Sequence, residues 1–288
     1  VAGQDVTIEK IESTGGAVPD RNGAAIRAEG GDLTLRRMRI HGNEMGILTS
    51  RDFRGTLLIE DSEFFGNYIT DYEQAGVPPG HNIYVSGAER FILRGSWIHS
   101  PYAGHNVKSR AALNEILYNR IEDGEGAGSY AIDIADAAPT WIIGNVIRQG
   151  PRAANRTLIA FGAESSARLE IPLVVAFNTF ENALAVGTFL RIRGPAAARV
   201  RNNLFLGGGE LVDGKGHLHG NLRFPDVVAA GLDMPSFAPR HGSPAIDAAQ
   251  IEPGEIVPDR MPALPLGTVA RPLAGRAFDV GALEAAQP

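Results

Sequence analysis

A six-residue phrase recurs along this chain: an apolar residue, two positions, a pivot, one position and a second apolar residue. It reads Leu35-x-x-Met38-x-Ile40, Ile59-x-x-Ser62-x-Phe64, Leu93-x-x-Ser96-x-Ile98 and Ile116-x-x-Asn119-x-Ile121. It continues as Ile142-x-x-Asn145-x-Ile147, Val175-x-x-Asn178-x-Phe180 and Val200-x-x-Asn203-x-Phe205, with a degenerate copy at Leu218-x-x-Asn221. The pivots stand 24, 34, 23, 26, 33 and 25 residues apart, a base period in the low-to-mid twenties with two insertions. A chain with such a period folds by stacking one unit on the next, which excludes most globular architectures.

A second phrase precedes each pivot. Its copies are Ala25–Ala28, Gly46–Thr49, Asn82–Val85, Asn106–Ser109, Ala131–Ile134, Leu158–Phe161 and Phe189–Ile192. Both phrases alternate with period 2, and neither has the 3.6-residue period of a helix. A leucine-rich consensus is absent, and propeller blades are longer. Short strands separated by Gly and Asn turns, at this period, predict an all-β chain: a right-handed parallel β-helix over residues 1–222. Coils stacked at ~4.8 Å give a rod of roughly 35 Å. The recurrent Asn is expected to stack at a turn and bond the main chain of neighbouring coils, so Asn119, Asn145, Asn178 and Asn203 are read as structural. Beyond residue 222 the pattern fades. Residues 225–288 hold 10 of the 18 prolines, and 223–288 is expected to be an irregular segment packed along the rod or capping it.

Composition narrows the function. The net charge of −6 does not favour a nucleic-acid partner. Cysteine is absent, which removes disulfides, thiol nucleophiles and Cys-ligated zinc. No apolar run approaches the ~20 residues of a membrane span. The chain begins at Val1 rather than Met, and the expectation is an exported (secreted or periplasmic) protein whose signal peptide has been removed.

Outward positions of the second phrase form columns across stacked coils. One column reads Arg27, Leu48, Tyr84, Lys108, Asp133, Ala160, Arg191. The column two residues later reads Glu29, Ser50, Ser86, Arg110, Ala135, Gly162, Arg193, and the column two residues earlier includes Asn82 and Asn106. His81 and His105 occupy matching places, each within Gly-His-Asn, and Asp136 and Glu164 lie just past their strands. Insertions near Thr70–Gly80 and Gly162–Pro172 flank this patch, as loops that wall a groove do. Outward strand residues are ordinarily polar because they meet water, and one Lys–Asp neighbour pair is an ordinary surface ion pair. The patch nevertheless gathers two histidines and one of only three lysines on one strand stack, which marks it as the candidate site.

The repeat resembles the right-handed parallel β-helix superfamily of pectate lyases, alginate and chondroitin lyases and polygalacturonases, over about residues 20–222. Gly242-Ser243-Pro244-Ala245-Ile246-Asp247 and Asp279-Val280-Gly281-Ala282-Leu283-Glu284 resemble a C-terminal signature of secreted bacterial β-helix proteins. Lys108-Ser109, followed by Asn114 and Tyr118-Asn119, is similar to the Lys-Ser run of alginate and chondroitin B-type lyases. That resemblance implies Lys108 as the base that removes a uronate C5 proton, and acidic residues that hold calcium. The arginine that assists one coil on in that family is replaced here by Asp133, which leaves Arg110 for its part. Polygalacturonases share clustered acids, a Gly-His phrase and an Arg-Ile-basic phrase, here Arg191-Ile192-Arg193, in a different order.

β-Elimination needs a base, a cation on the neighbouring carboxylate and an acid for the leaving oxygen. The expectation is a lyase acting on an acidic, uronate-containing polysaccharide. Lys108 or His105 is its base, Arg110 with Arg191 or Arg193 its cation, and Tyr84 or His81 its acid. Asn82, Asn106, Arg191, Arg193 and Glu164 bind substrate, and Asp133, Asp136 and Glu164 are the candidate calcium ligands. An inverting hydrolase would pair Asp133 or Asp136 with Glu164. A glycan-binding protein without catalysis is the alternative of a different class.

Overall fold

The computed structural model describes residues 1–165, 170–194 and 196–286, and the part of the second insertion at 166–169 lies outside the described residues. Three all-parallel sheets, of nine, nine and eight strands, run from Val6 to Phe224. Each coil contributes one strand to each sheet in turn, for example Arg90–Arg94, Trp97–His99 and Val107–Ser109. This is a parallel β-helix. It begins one coil earlier than the repeat phrase, with Val6–Glu9 pairing Leu33–Arg36.

Alternation sorts the side chains. On the first sheet Leu35, Ile59, Leu93, Ile116, Ile142, Val175 and Val200 stand in register and are fully buried. On the second, Ile40, Phe64, Ile98, Ile121, Ile147, Phe180 and Phe205 do the same. On the third, Ile47, Ile83, Val107, Ile132, Ile159 and Leu190 complete the interior. β-Branched and aromatic residues fit such pleated stacks well.

The pivots form one ladder at the corner between the first and second sheets. The Met38 amide donates to Ser62 Oγ at 3.0 Å, Ser62 to Ser96 Oγ at 3.1 Å and Ser96 to Asn119 Oδ1 at 3.0 Å. Asn119 then donates to Asn145, Asn145 to Asn178, Asn178 to Asn203 and Asn203 to Asn221, all at 2.8–2.9 Å. The Asn145 side-chain amide also donates to the carbonyls of Ile116 and Ile143. These bonds satisfy main-chain groups that the sharp corner removes from the sheets.

The C-terminal segment lies along the rod. Asn202 exchanges two hydrogen bonds with the Gln250 main chain, Tyr118 donates to Asp259, and the Gly267 amide donates to the Gly95 carbonyl. Ala230, Leu232, Phe237, Ala245, Val280 and Ala282 bury against Val146, Leu204 and Leu206 of the second sheet. The two phrases that resemble an export signature serve this packing. The Asp247 amide donates to Asp279 Oδ1 at 2.9 Å, and Arg271 and Glu284 form a fully buried ion pair at 2.7 Å. Among the described residues no helix is long and apolar enough to cross a membrane.

Replacing Asn145 by Ala strands the Asn119 amide and the Ile116 carbonyl in the interior. At roughly 1–3 kcal/mol for each unsatisfied buried group, unfolding free energy is expected to fall by about 3 kcal/mol, read from the denaturation midpoint. A loss below about 1 kcal/mol would remove the ladder from its structural role.

Candidate functional site

The expected outward column is the observed one. Tyr84 stands beside Lys108, Lys108 beside Asp133, Asp133 beside Ala160 and Ala160 beside Arg191. Arg110 follows two residues after Lys108 on the same face. The Glu164 amide donates to the Ala135 carbonyl, and this anchors its carboxylate over the two cations. Glu164 Oε1 accepts from Lys108 Nζ at 2.9 Å, and Oε2 accepts from Arg110 Nη2. Arg110 Nη1 donates to Asp136 at 2.9 Å and its Nε to the Tyr84 hydroxyl at 3.3 Å. Lys108 Nζ also lies 3.3 Å from Asp133 Oδ2.

Exposure within this cluster is uneven. The side chains of Lys108 and Asp133 are 14% and 4% exposed, whereas that of Glu164 is 47% exposed. Burial pushes the Asp133 pKa up, and the Lys108 ammonium only partly offsets it. Burial opposes the charge on Lys108, but Asp133 and Glu164 outweigh it and raise its pKa. The hydrogen bonds from Arg110 and then Lys108 bring the Glu164 pKa down to about 2. Lys108 is therefore held as an ammonium, and its neighbours oppose the neutral amine that a base requires.

The histidines stack beside this cluster. The rings of His81 and His105 lie 4.8 Å apart, and Tyr130 continues the stack 4.9 Å from His105. The His105 amide donates to His81 Nδ1 at 3.0 Å, and the Tyr130 amide donates to His105 Nδ1 at 3.1 Å. Each Nδ1 lone pair is thus occupied, so each neutral ring carries its proton on Nε2. Burial, then Lys108, lowers the His105 pKa to about 3. Burial, then His105 and Lys108, holds His81 well below the usual histidine range. His105 Nε2 lies 3.6 Å from Asp133 Oδ2. At that distance the Nε2–H faces the carboxylate without a hydrogen bond, and the proton-accepting role expected of His105 has no free lone pair.

Other expectations are corrected. Asn82 and Asn106 are fully buried and do not reach the surface. At the corner entering the third sheet the strand alternation does not apply. Their amides join a second interior ladder, Asn43–Asn67–Asn82–Asn106–Asp123, with links of 2.8–3.3 Å. Arg191 and Arg193 share the face but belong to a separate cluster, paired with Asp213 at 3.1 and 2.7 Å. Asp133, Asp136 and Glu164 do not converge as calcium ligands. Lys108 and Arg110 stand among them, and no metal-ligand grouping of three His, Asp or Glu occurs among the described residues. The Lys108 ammonium also touches two of the carboxylates expected of a hydrolase, Asp133 at 3.3 Å and Glu164 at 2.9 Å.

Tyr130 and Asp213 were missed by the sequence reading. Both were one coil away from a recognised residue: Tyr130 follows His105 by 25 residues, as His105 follows His81 by 24, and Asp213 follows Arg191 by 22. Compared with known proteins, the chain matches no family model, no curated protein and no solved structure.

The ring stack predicts pH behaviour. The depressed histidine pKa values mean that the unfolded chain binds these protons first as pH falls below about 6.5, so their contribution to stability is complete above that pH and is lost as pH falls below it, for His105 progressively towards about 3. Nitrogen NMR is expected to find both rings neutral, with the proton on Nε2, at pH 5. An ordinary titration near pH 6.5 for either ring would contradict the buried stack.

Proposed function

We propose that the outer face of the third sheet binds an acidic, uronate-bearing glycan through the two-cation fork of Lys108 and Arg110. The observation that carries this reading is the fork's occupant. Both cations hold one carboxylate, Glu164, which is half-exposed over the more covered Lys108, Arg110 and Asp133, whereas Asp136, equally exposed, pairs with Arg110 alone among the described residues. A ligand carboxylate has the same shape and charge and takes the same donors when Glu164 swings out. Planar guanidinium and ammonium donors at this spacing suit a carboxylate well.

A specific contact favours β-elimination over hydrolysis as the chemistry of this site. With the uronate carboxylate neutralised by Lys108 and Arg110, its C5 proton becomes acidic. The C5 proton passes to the Asp133 carboxylate, 3.3 Å from Lys108 Nζ and left in place when Glu164 departs, the C5–H electrons form the C4–C5 double bond, the C4–O bond breaks, and the departing oxygen takes a proton from an acid. Tyr84 is the proton-transfer group in reach: its oxygen accepts from Arg110 Nε, which leaves its own proton free to donate. Lys108 serves as a charge neutraliser in this reading. The base role that resemblance implied for it is opposed by Asp133.

The internal carboxylate gives a discriminating test. Glu164→Gln removes the competitor and is expected to tighten binding of galacturonate or mannuronate oligomers several-fold, while Arg110→Ala weakens it by roughly tenfold or more. Tyr84→Phe is expected to leave binding intact and to abolish the ultraviolet absorbance of unsaturated uronate products. Weaker binding in Glu164→Gln, or saturated products from wild type, would refute the reading.

A further inference from the structure

A cavity of about 510 Å³ lies on a different face, between the outer surface of the first sheet and the C-terminal segment. Its floor is one outward column: Trp141 stands beside Val174, and Val174 beside Arg199. Its wall is the turn Glu252–Ile256. That wall is fixed in place. The Glu252 amide donates to its own turn's Glu255 carboxylate at 3.0 Å, Arg201 clamps both Glu252 and Glu255, and Asn202 pins the preceding Gln250.

The clamp leaves an asymmetry. Arg201 has two carboxylates. Arg199, two residues earlier on the same face and exposed, has no ion pair or hydrogen bond among the described residues. The two tryptophans differ in the same way. Trp97 Nε1 donates to Glu122 at 2.7 Å, whereas the Trp141 indole N–H has no partner among the described residues. Glu170, at the cavity's edge, likewise has no ion pair or hydrogen bond among the described residues. The cavity thus offers an indole and apolar Val174 and Pro172 surfaces, two free donors and one free acceptor. Its volume lies in the range of small-ligand sites.

We infer that this cavity is a second saccharide-binding site, which takes one or two sugar rings with Trp141 as the platform and Arg199 and Glu170 bonding hydroxyl or carboxylate groups. A pyranose presents an apolar C–H face and a rim of groups that both donate and accept, which matches an indole bordered by a donor and an acceptor. A bare inorganic anion fits poorly, because Glu170, Glu252 and Glu255 also line the space. This inference does not depend on the function proposed for the third sheet.

The test uses tryptophan fluorescence. In a Trp97→Phe background the remaining indole is Trp141, and the full chain is titrated with oligomers of galacturonate, mannuronate and glucose. A saturable change with at least one oligomer is expected, with affinity reduced about tenfold by Arg199→Ala and unchanged by Arg110→Ala. Arg199 is exposed, so its loss does not threaten the fold, and a thermal melt checks this. Should Trp97→Phe unfold the chain, calorimetric titration of Arg110→Ala against Arg110→Ala/Arg199→Ala, in which the third-sheet fork is disabled, reads the same difference. No saturable binding across the panel overturns the inference. So does equal affinity for inorganic phosphate, or an Arg199→Ala titration identical to its parent.

Discussion

The register of one coil on the next carries the rest of this structure. Parallel main-chain pairing alone would tolerate a slip, because each strand is only three to five residues in most coils. The pivot ladder removes that freedom. From Ser62 onward each pivot side chain accepts the main-chain N–H of the pivot one coil before it, so a shifted coil would leave a buried amide unsatisfied. With register fixed at one corner, every outward column is fixed as well, and side chains separated by a full coil in sequence become neighbours at a strand spacing.

The candidate site is a product of that register. Lys108 and Asp133 meet because their strands pair, and Glu164 arrives because its amide is held by the coil below. The outcome is a nearly closed charge network. Its buried members are fixed by one another and by the stacked imidazoles, and of its two exposed carboxylates, Asp136 and Glu164, the one that bridges both cations is the one that a ligand can replace. Specificity for a carboxylate then costs the two internal ion pairs of Glu164, an exchange between similar groups, which is a small free-energy difference compared with exposing an unpaired charge.

The same geometry gives single residues surroundings that alternation and resemblance do not announce. Resemblance to lyases placed a base at Lys108, but the character of a lysine is set by what lies within a few ångströms, and here that is Asp133 and Glu164. Asn82 and Asn106 lie two residues before outward positions, so alternation sends them outward. They occupy a corner instead, where the chain turns its amides into the rod to satisfy main-chain carbonyls. His105 is the expected neighbour of Asp133, yet the Tyr130 amide consumes its basic nitrogen.

Sequence alone determined the repeat, the sheets and the columns, since period and alternation are local properties that each residue states about itself. Arg27, Leu48, Tyr84, Lys108, Asp133, Ala160 and Arg191 do stand in one row, and the pivots from Ser62 to Asn221 do form one ladder. Tertiary structure alone decided protonation, burial and the second cavity. A pKa depends on desolvation and on charges that loops bring in, such as Glu164 over Lys108. The Trp141 cavity exists because a C-terminal turn without a repeat is clamped by Arg201, and no periodicity in the chain announces where such a segment will lie.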